Sequence, residues 1–241
     1  YITLDHSLKQ VVAGLHRPAV RRIRGATGEY APVEDGATIE TLELGDLTLR
    51  RVPVLFQEVS ALGETIDHPI QGLLGIGPFA DHILELDYPN DQVRVLDEIP
   101  PPPGGEVVST ELPSGDASTP MLPVTIGRHR LFCLLDSGCG WAAAVPADLG
   151  DELFVPGSEF VRESVSLTGK HRRREGRLRE PLELGDFDLR RIRAVAGVGS
   201  PKIGAPLMRR FRVVIDHPRS TVTLHLDPAA LRRRWLRRHR R

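Results

Sequence analysis

The stretch Leu131-Phe132-Cys133-Leu134-Leu135-Asp136-Ser137-Gly138 decides the fold. Five apolar residues run into a carboxylate, a hydroxyl and a glycine. A continuous apolar run of this length predicts a strand buried on both faces. The glycine admits a tight turn directly after it. Asp136 is therefore expected at the end of a core strand, held rigidly, with Ser137 beside it. Alone the triplet says little, since average composition places one in roughly one chain in ten of this size. It gains weight because the surrounding chain is duplicated.

Leu42-Glu43-Leu44-Gly45-Asp46 with Leu49-Arg50-Arg51 recurs as Leu182-Glu183-Leu184-Gly185-Asp186 with Leu189-Arg190-Arg191, an offset of 140 residues. Gly75 recurs as Gly204, and Asp87-Tyr88-Pro89 as Asp216-His217-Pro218, at an offset of 129. The first copy therefore carries about eleven extra residues within Val54 to Gln71. Two copies at so long a period mean duplicated domains, not a solenoid. In the second copy Met121–Ile126, a Gly127-Arg128 turn and His129–Leu135 form a predicted hairpin that delivers Asp136. By the offset, the partner of Asp136 is expected about four residues upstream of Tyr1.

The boundaries read as a first lobe over 1–99, a Pro/Gly linker over 100–106, a second lobe over 107–227 and a basic tail over 228–241. Four prolines and two glycines in the linker cannot continue a sheet. Within the first lobe, Tyr1 to Val12 reads as a turn and short helix. Ile23 to Tyr30 reads as a glycine-marked hairpin, and Thr38–Leu44 and Leu47–Phe56 as strands. Leu84–Asp87 and Gln92–Leu96 read as a further hairpin.

With 23 glycines, 20 prolines and few aromatics, the composition suits a turn-rich β protein. Net charge is zero but uneven: Leu231 to Arg241 holds seven arginines and no acid, leaving 25 basic against 32 acidic residues elsewhere. The tail reads as an exposed basic terminus that can touch an anionic surface. The lobes show no aromatic-interleaved basic strands, so no nucleic acid is expected on them. No apolar run approaches membrane-spanning length. Cys133 and Cys139 flank the Asp136 turn and read as two buried free thiols, which suits a reducing compartment. The nine histidines show no metal-ligand spacing, so no metal and no cofactor are expected. There is no G-x-S-x-G elbow for a serine hydrolase.

Taken in order, these features resemble the retropepsin-like and pepsin-like aspartic proteases. Leu134 to Gly138 matches the family's D-[ST]-G loop, and Ser166-Leu167-Thr168-Gly169 lies near its flap. Ile203-Gly204 matches the apolar-glycine element, Pro206 to Phe211 the helix and Val213 to Leu226 the closing hairpin. In the first copy Gly25 to Gly28 matches a flap, followed by Leu73-Leu74-Gly75 and Leu84 to Leu96. Four features depart from the pattern. Cys139 stands where alanine, serine or threonine is usual, and Lys202 where an apolar residue is usual. The second flap is strongly basic, and the first-lobe insertion has no counterpart.

The resemblance implies a mainly β fold of two pseudo-twofold-related acid-protease β-barrel lobes with short helices. It implies an endopeptidase acting on peptide or protein substrates. Asp136 would be catalytic and supported by Ser137 and Gly138. Gly25, Thr27, Gly28, Thr168 and Gly169 would be flap residues that clamp the substrate. The chemistry needs two carboxylates that share one proton. The second would come from upstream of Tyr1 in a two-lobed monomer, or from another copy of the chain in a homodimer. The rival class is a peptide-binding or scaffold module that keeps the fold without the dyad.

Overall fold

The computed structural model describes residues 2–12, 15–16, 22–24, 30–32, 35–99, 107–111, 120–166, 169–197 and 199–226. The linker 100–106 and the tail 228–241 lie outside them, as do Gly25, Thr27, Gly28 and Thr168. The described chain is mainly β. Its first part contains β1 (Ile2–Asp5), β2 (Leu15–His16), β3 (Arg22–Arg24), β4 (Tyr30–Pro32), β5 (Asp35–Leu44), β6 (Leu47–Gln57), helix α1 (Ser60–Ile66), β7 (Gly72–Leu74), β8 (Ile83–Asp87) and β9 (Gln92–Leu96). There follow β10 (Val107–Glu111), β11 (Met121–Ile126), β12 (His129–Asp136), β13 (Ala143–Val145) and α2 (Gly150–Leu153). The rest is β14 (Phe160–Ser166), β15 (Gly169–Arg177), β16 (Leu182–Leu184), β17 (Phe187–Leu189), β18 (Arg193–Ala196), β19 (Lys202–Gly204), α3 (Ala205–Met208), β20 (Phe211–Asp216) and β21 (Thr221–Leu226).

Two compact units emerge, Tyr1–Pro78 with Arg162–Arg172, and Phe79–Val161 with Arg173–Arg241. The division falls after Pro78. Its cause is the hairpin β8–β9, which pairs with β20 in a sheet ordered β10-β21-β20-β8-β9. Leu84 pairs with Ile215, Glu85 with Val214 and Leu86 with Val213. Glu85 and Val214 are equivalent at the 129-residue offset, so the closing hairpins of the two copies meet about a local twofold.

In the first unit the sheet order is β2-β5-β6-β1-β7. Ile2, Ala37, Leu49, Val52, Val54 and Phe56 form its core. Ile2 to Asp5, read from sequence as part of a turn and short helix, forms strand β1, and only His6–Leu8 turns helically. Parallel pairing with β6 and antiparallel pairing with β7 hold these four residues extended. Helix α1 lies within the Val54 to Gln71 stretch that carries the extra residues of the first copy.

The larger sheet is ordered β14-β15-β18-β13-β19-β12-β11-β16-β17. Along β11, Leu122, Val124 and Ile126 point inward and alternate with Met121, Pro123 and Thr125. Pro123 costs no ladder bond, because β16 pairs only with Thr125 and Ile126. The mainly β architecture with short helices is as expected from the sequence, and the strand orders among the described residues define no closed barrel.

The duplication extends to backbone geometry. Leu42 pairs with Leu49 as Leu182 pairs with Leu189. Gly45 and Gly185 turn with φ of 60° and 56°, a conformation that favours glycine. Arg51 and Arg191, also equivalent, both take positive φ, at 51° and 58°.

Candidate active site

Asp136 is the last residue of β12, and the turn after it carries the chain across to β13. Strand β19 lies between the two, parallel to β12 and antiparallel to β13. Asp136 is thereby set opposite Gly204. Gly204 donates its N–H to Ala142 O at 3.1 Å, and Ala205 donates to Cys139 O at 3.0 Å. A Cβ on Gly204 would fall 2.0 Å from the Trp141 carbonyl oxygen and 2.6 Å from that of Cys139. Only glycine lets the Asp136 loop seat on β19. The Cys139 N–H closes the turn onto Asp136 O at 3.1 Å.

The carboxylate is held at both oxygens. Oδ1 accepts the Gly138 N–H at 3.0 Å. Oδ2 accepts the Lys202 ammonium at 2.9 Å. The Lys202 side chain is 8% exposed and that of Asp136 29%. The pair is a charge-assisted hydrogen bond between neighbouring strands of the sheet. Ser137 and Gly138 are exposed at the loop tip.

Two further groups lie in the field of Asp136. The Tyr88 phenol follows β8, and its hydroxyl donates to Met208 Sδ at 4.0 Å. Burial pushes Tyr88 up from its ordinary value; Arg209 opposes this and the charge of Asp136 adds to it. Burial also pushes the Cys139 thiol up, opposed by its bond to Trp141 O. Cys133 is pushed up to about 12 by burial. Both thiols are free, buried and protonated at neutral pH, which makes them poor nucleophiles.

No protein-family model matches the chain, and no curated protein matches it. Among solved structures it is similar to a retropepsin-like aspartic protease from Rickettsia conorii, 16% identical, with a TM-score of 0.39, over 51% of this chain and 94% of that one.

Of the residues singled out from sequence, the structure brings Asp136, Ser137 and Gly138 together in one turn. Gly169 opens β15 with φ of +114°, and a Cβ there would meet no described atom within 4 Å. The strand leading to Asp136 is less buried than its composition predicts. Cys133 and Leu135 are buried, but Phe132 is 57% exposed, so only one face of β12 lies fully in the core. Tyr88 was legible only as a turn residue. Lys202 was legible only as an oddity before Ile203-Gly204; its contact needs the parallel register of β12 on β19, which joins residues 66 positions apart.

The two copies differ at the same place. Strand β7 pairs with β1 as β19 pairs with β13. Thr3 sits opposite Leu73 and Ile2 opposite Leu74, as Ala144 sits opposite Lys202 and Ala143 opposite Ile203. Leu73 thus occupies the position of Lys202. Beyond β19 comes β12, whereas among the described residues β7 ends its sheet. Leu73 and Leu74 are accordingly 36% and 51% exposed, while Ile203 is 1% exposed.

Proposed function

We propose that the protein is an aspartic endopeptidase that hydrolyses extended peptides with a water activated between two carboxylates. The observation that carries the reading is the seat of Asp136: a carboxylate at a strand end, its Oδ1 fixed by the Gly138 amide, in a loop that Gly204 alone can accept. Asp136 is one carboxylate. The second would come from outside the described residues, from the duplicate loop or from another copy of the chain.

In the reaction the ionised carboxylate takes a proton from the water as its oxygen attacks the peptide carbonyl carbon. The protonated carboxyl gives its proton to the carbonyl oxygen. Collapse of the tetrahedral diol breaks the C–N bond as the amine nitrogen is protonated. Because the pair shares one proton, the rate is expected to be bell-shaped in pH. Gly169 and its neighbours in the β14–β15 hairpin would close over the substrate.

Incubation of the full-length protein with a peptide library across pH tests the reading. The expected result is pepstatin-sensitive cleavage that Asp136→Asn reduces by about 10²–10⁴-fold or more. A second reading, a peptide-binding module without catalysis, is favoured by the Lys202 ammonium on Asp136 Oδ2. Peptide binding without cleavage at any pH would establish it and end the protease reading.

A further inference from the structure

We infer that the outer edge of β9 docks an extended strand of a partner polypeptide, one that sets β-branched residues opposite Val93 and Val95 and an acidic residue opposite Arg94. The inference concerns the closing sheet alone and is independent of the protease reading.

The local twofold carries the first step. It exchanges β8 with β20 and β9 with β21. At the 129-residue offset Gln92, Val93, Arg94 and Val95 correspond to Thr221, Val222, Thr223 and Leu224. The outer edge of β21 is taken by β10: Thr110 pairs with Val222, Ser109 with Thr223 and Val108 with Leu224. In the order β10-β21-β20-β8-β9 the equivalent edge of β9 has no strand among the described residues. Burial differs accordingly. Val222 is 0% exposed, whereas its counterpart Val93 is 70% exposed.

The edge also lacks the usual devices against pairing. Edge strands that stay single carry lysine, proline or a bulge. Gln92-Val93-Arg94-Val95-Leu96 has no lysine and no proline, and it pairs with β8 residue for residue without a bulge. Its one charge is Arg94, whose Nε donates to Glu85 at 2.6 Å and whose guanidinium lies 3.6 Å from Asp87. The Arg94 side chain is nevertheless 44% exposed, which leaves donors for a further acceptor along the edge. Residues directly opposite one another in a ladder share a face. A strand added to β9 therefore covers Val93 and Val95 with residues of one face and meets Arg94 with a residue of the other. Residues 92–96 contain no acid, so β9 of a second copy does not supply the partner for Arg94.

The probe is a synthetic peptide copying residues 105–112 with Ser109→Glu. In the register that β10 keeps on β21 it places Thr110 opposite Val93, Val108 opposite Val95 and the introduced carboxylate opposite Arg94. Fluorescence anisotropy measures its binding to the full-length protein, and hydrogen exchange locates it. The expected result is saturable binding that slows exchange of amides within 92–96. Val93→Pro removes an edge N–H and Val93→Lys shields the edge; each is expected to weaken binding about tenfold or more. Circular dichroism identifies the folded variants, and the lysine variant serves if the proline variant does not fold. No binding, or binding that the folded variants leave unchanged, overturns the inference. So does slow exchange of amides 92–96 before peptide is added, since the protein then fills the edge itself. Self-association in sedimentation that Val93→Lys abolishes gives the edge to a second copy and overturns it as well. None of these outcomes bears on peptide hydrolysis.

Discussion

Gly204 has less freedom than any other residue of the candidate site, because its missing side chain is where two carbonyl oxygens lie. Gly204→Ala would drive a methyl group to 2.0 Å from Trp141 O and 2.6 Å from Cys139 O. Both neighbours are backbone, so the loop must move as a unit. The expected cost is about 3 kcal/mol or more, at the upper end of overpacking, and is read as a fall in the urea midpoint. An unchanged midpoint would show that the loop is not seated as described. Gly138 is under a milder demand: a Cβ there would come to 3.3 Å from Asp136 Oδ1, so the glycine serves mainly the approach of its amide. Much of this residue-scale picture was legible beforehand. Asp136, Ser137 and Gly138 follow from an apolar run that stops at a turn, and Gly204 from its repeat of Gly75. Lys202 and Tyr88 were not, because contacts across 66 positions to Asp136 and 120 positions to Met208 depend on strand order, which no local pattern encodes.

Among the elements, β7 and β19 pose the same sequence problem and solve it differently. Both are three-residue strands with a glycine at the same place in the repeat, Gly75 just after β7 and Gly204 at the end of β19, and both pair antiparallel with the strand that leaves the loop position. Only β19 has a neighbour on its other side among the described residues. A charge at equivalent positions should therefore have opposite consequences. Ile203→Lys buries an unpaired ammonium in a site that is 1% exposed, and is expected to unfold the chain or cost at least about 4 kcal/mol. Leu74→Lys falls on a half-exposed side chain at a sheet edge, and is expected to cost no more than about 0.5 kcal/mol in the 241-residue chain. Urea titration of both variants checks this, and equal costs would show that the β7 edge is covered. The periodicity of β11 and the turn chemistry between β8 and β9 made these elements readable, since each is a local hairpin. Strand β1 was not, since four residues carry too short a pattern to outweigh the helical turn that follows them.

For the whole molecule, the sheet that joins the closing hairpins of both copies sets how the fold meets acid. One of its faces carries charge where a core would be apolar. Glu85 and Asp216 are fully buried, and Asp87 and His225 nearly so. Glu85 bonds Arg94 Nε at 2.6 Å and faces Arg212 Nε at 3.6 Å, and Asp216 holds Arg219 at 2.8 Å. His225, paired with Arg212 across β20–β21, is pushed down to about 4, first by burial and then by the Arg212 charge. His217, on the turn between these strands, is also lowered by burial, against the opposing pull of Asp216. A histidine lowered on folding has a definite sign of linkage. Above its ordinary value of 6.5 both folded and unfolded chains leave it neutral, and its effect on stability is constant. As pH falls from about 6.5 to about 4 the unfolded chain takes a proton that the folded chain refuses, so stability declines; below about 4 both are protonated and the decline from His225 ends. A proton-sharing pair of carboxylates works best in acid, so the fold and the proposed chemistry pull in opposite directions. The lower limit of the working range is then expected to follow unfolding of this sheet and not titration of the site. Melting temperature measured from pH 7.5 to 4 should fall for the parent and fall less steeply for His225→Gln, which cannot take the proton. Parallel curves for the two would locate the acid sensitivity elsewhere. If they diverge, and peptide hydrolysis by His225→Gln persists at an acid pH where the parent has lost it, the closing sheet sets the acid limit of the proposed activity.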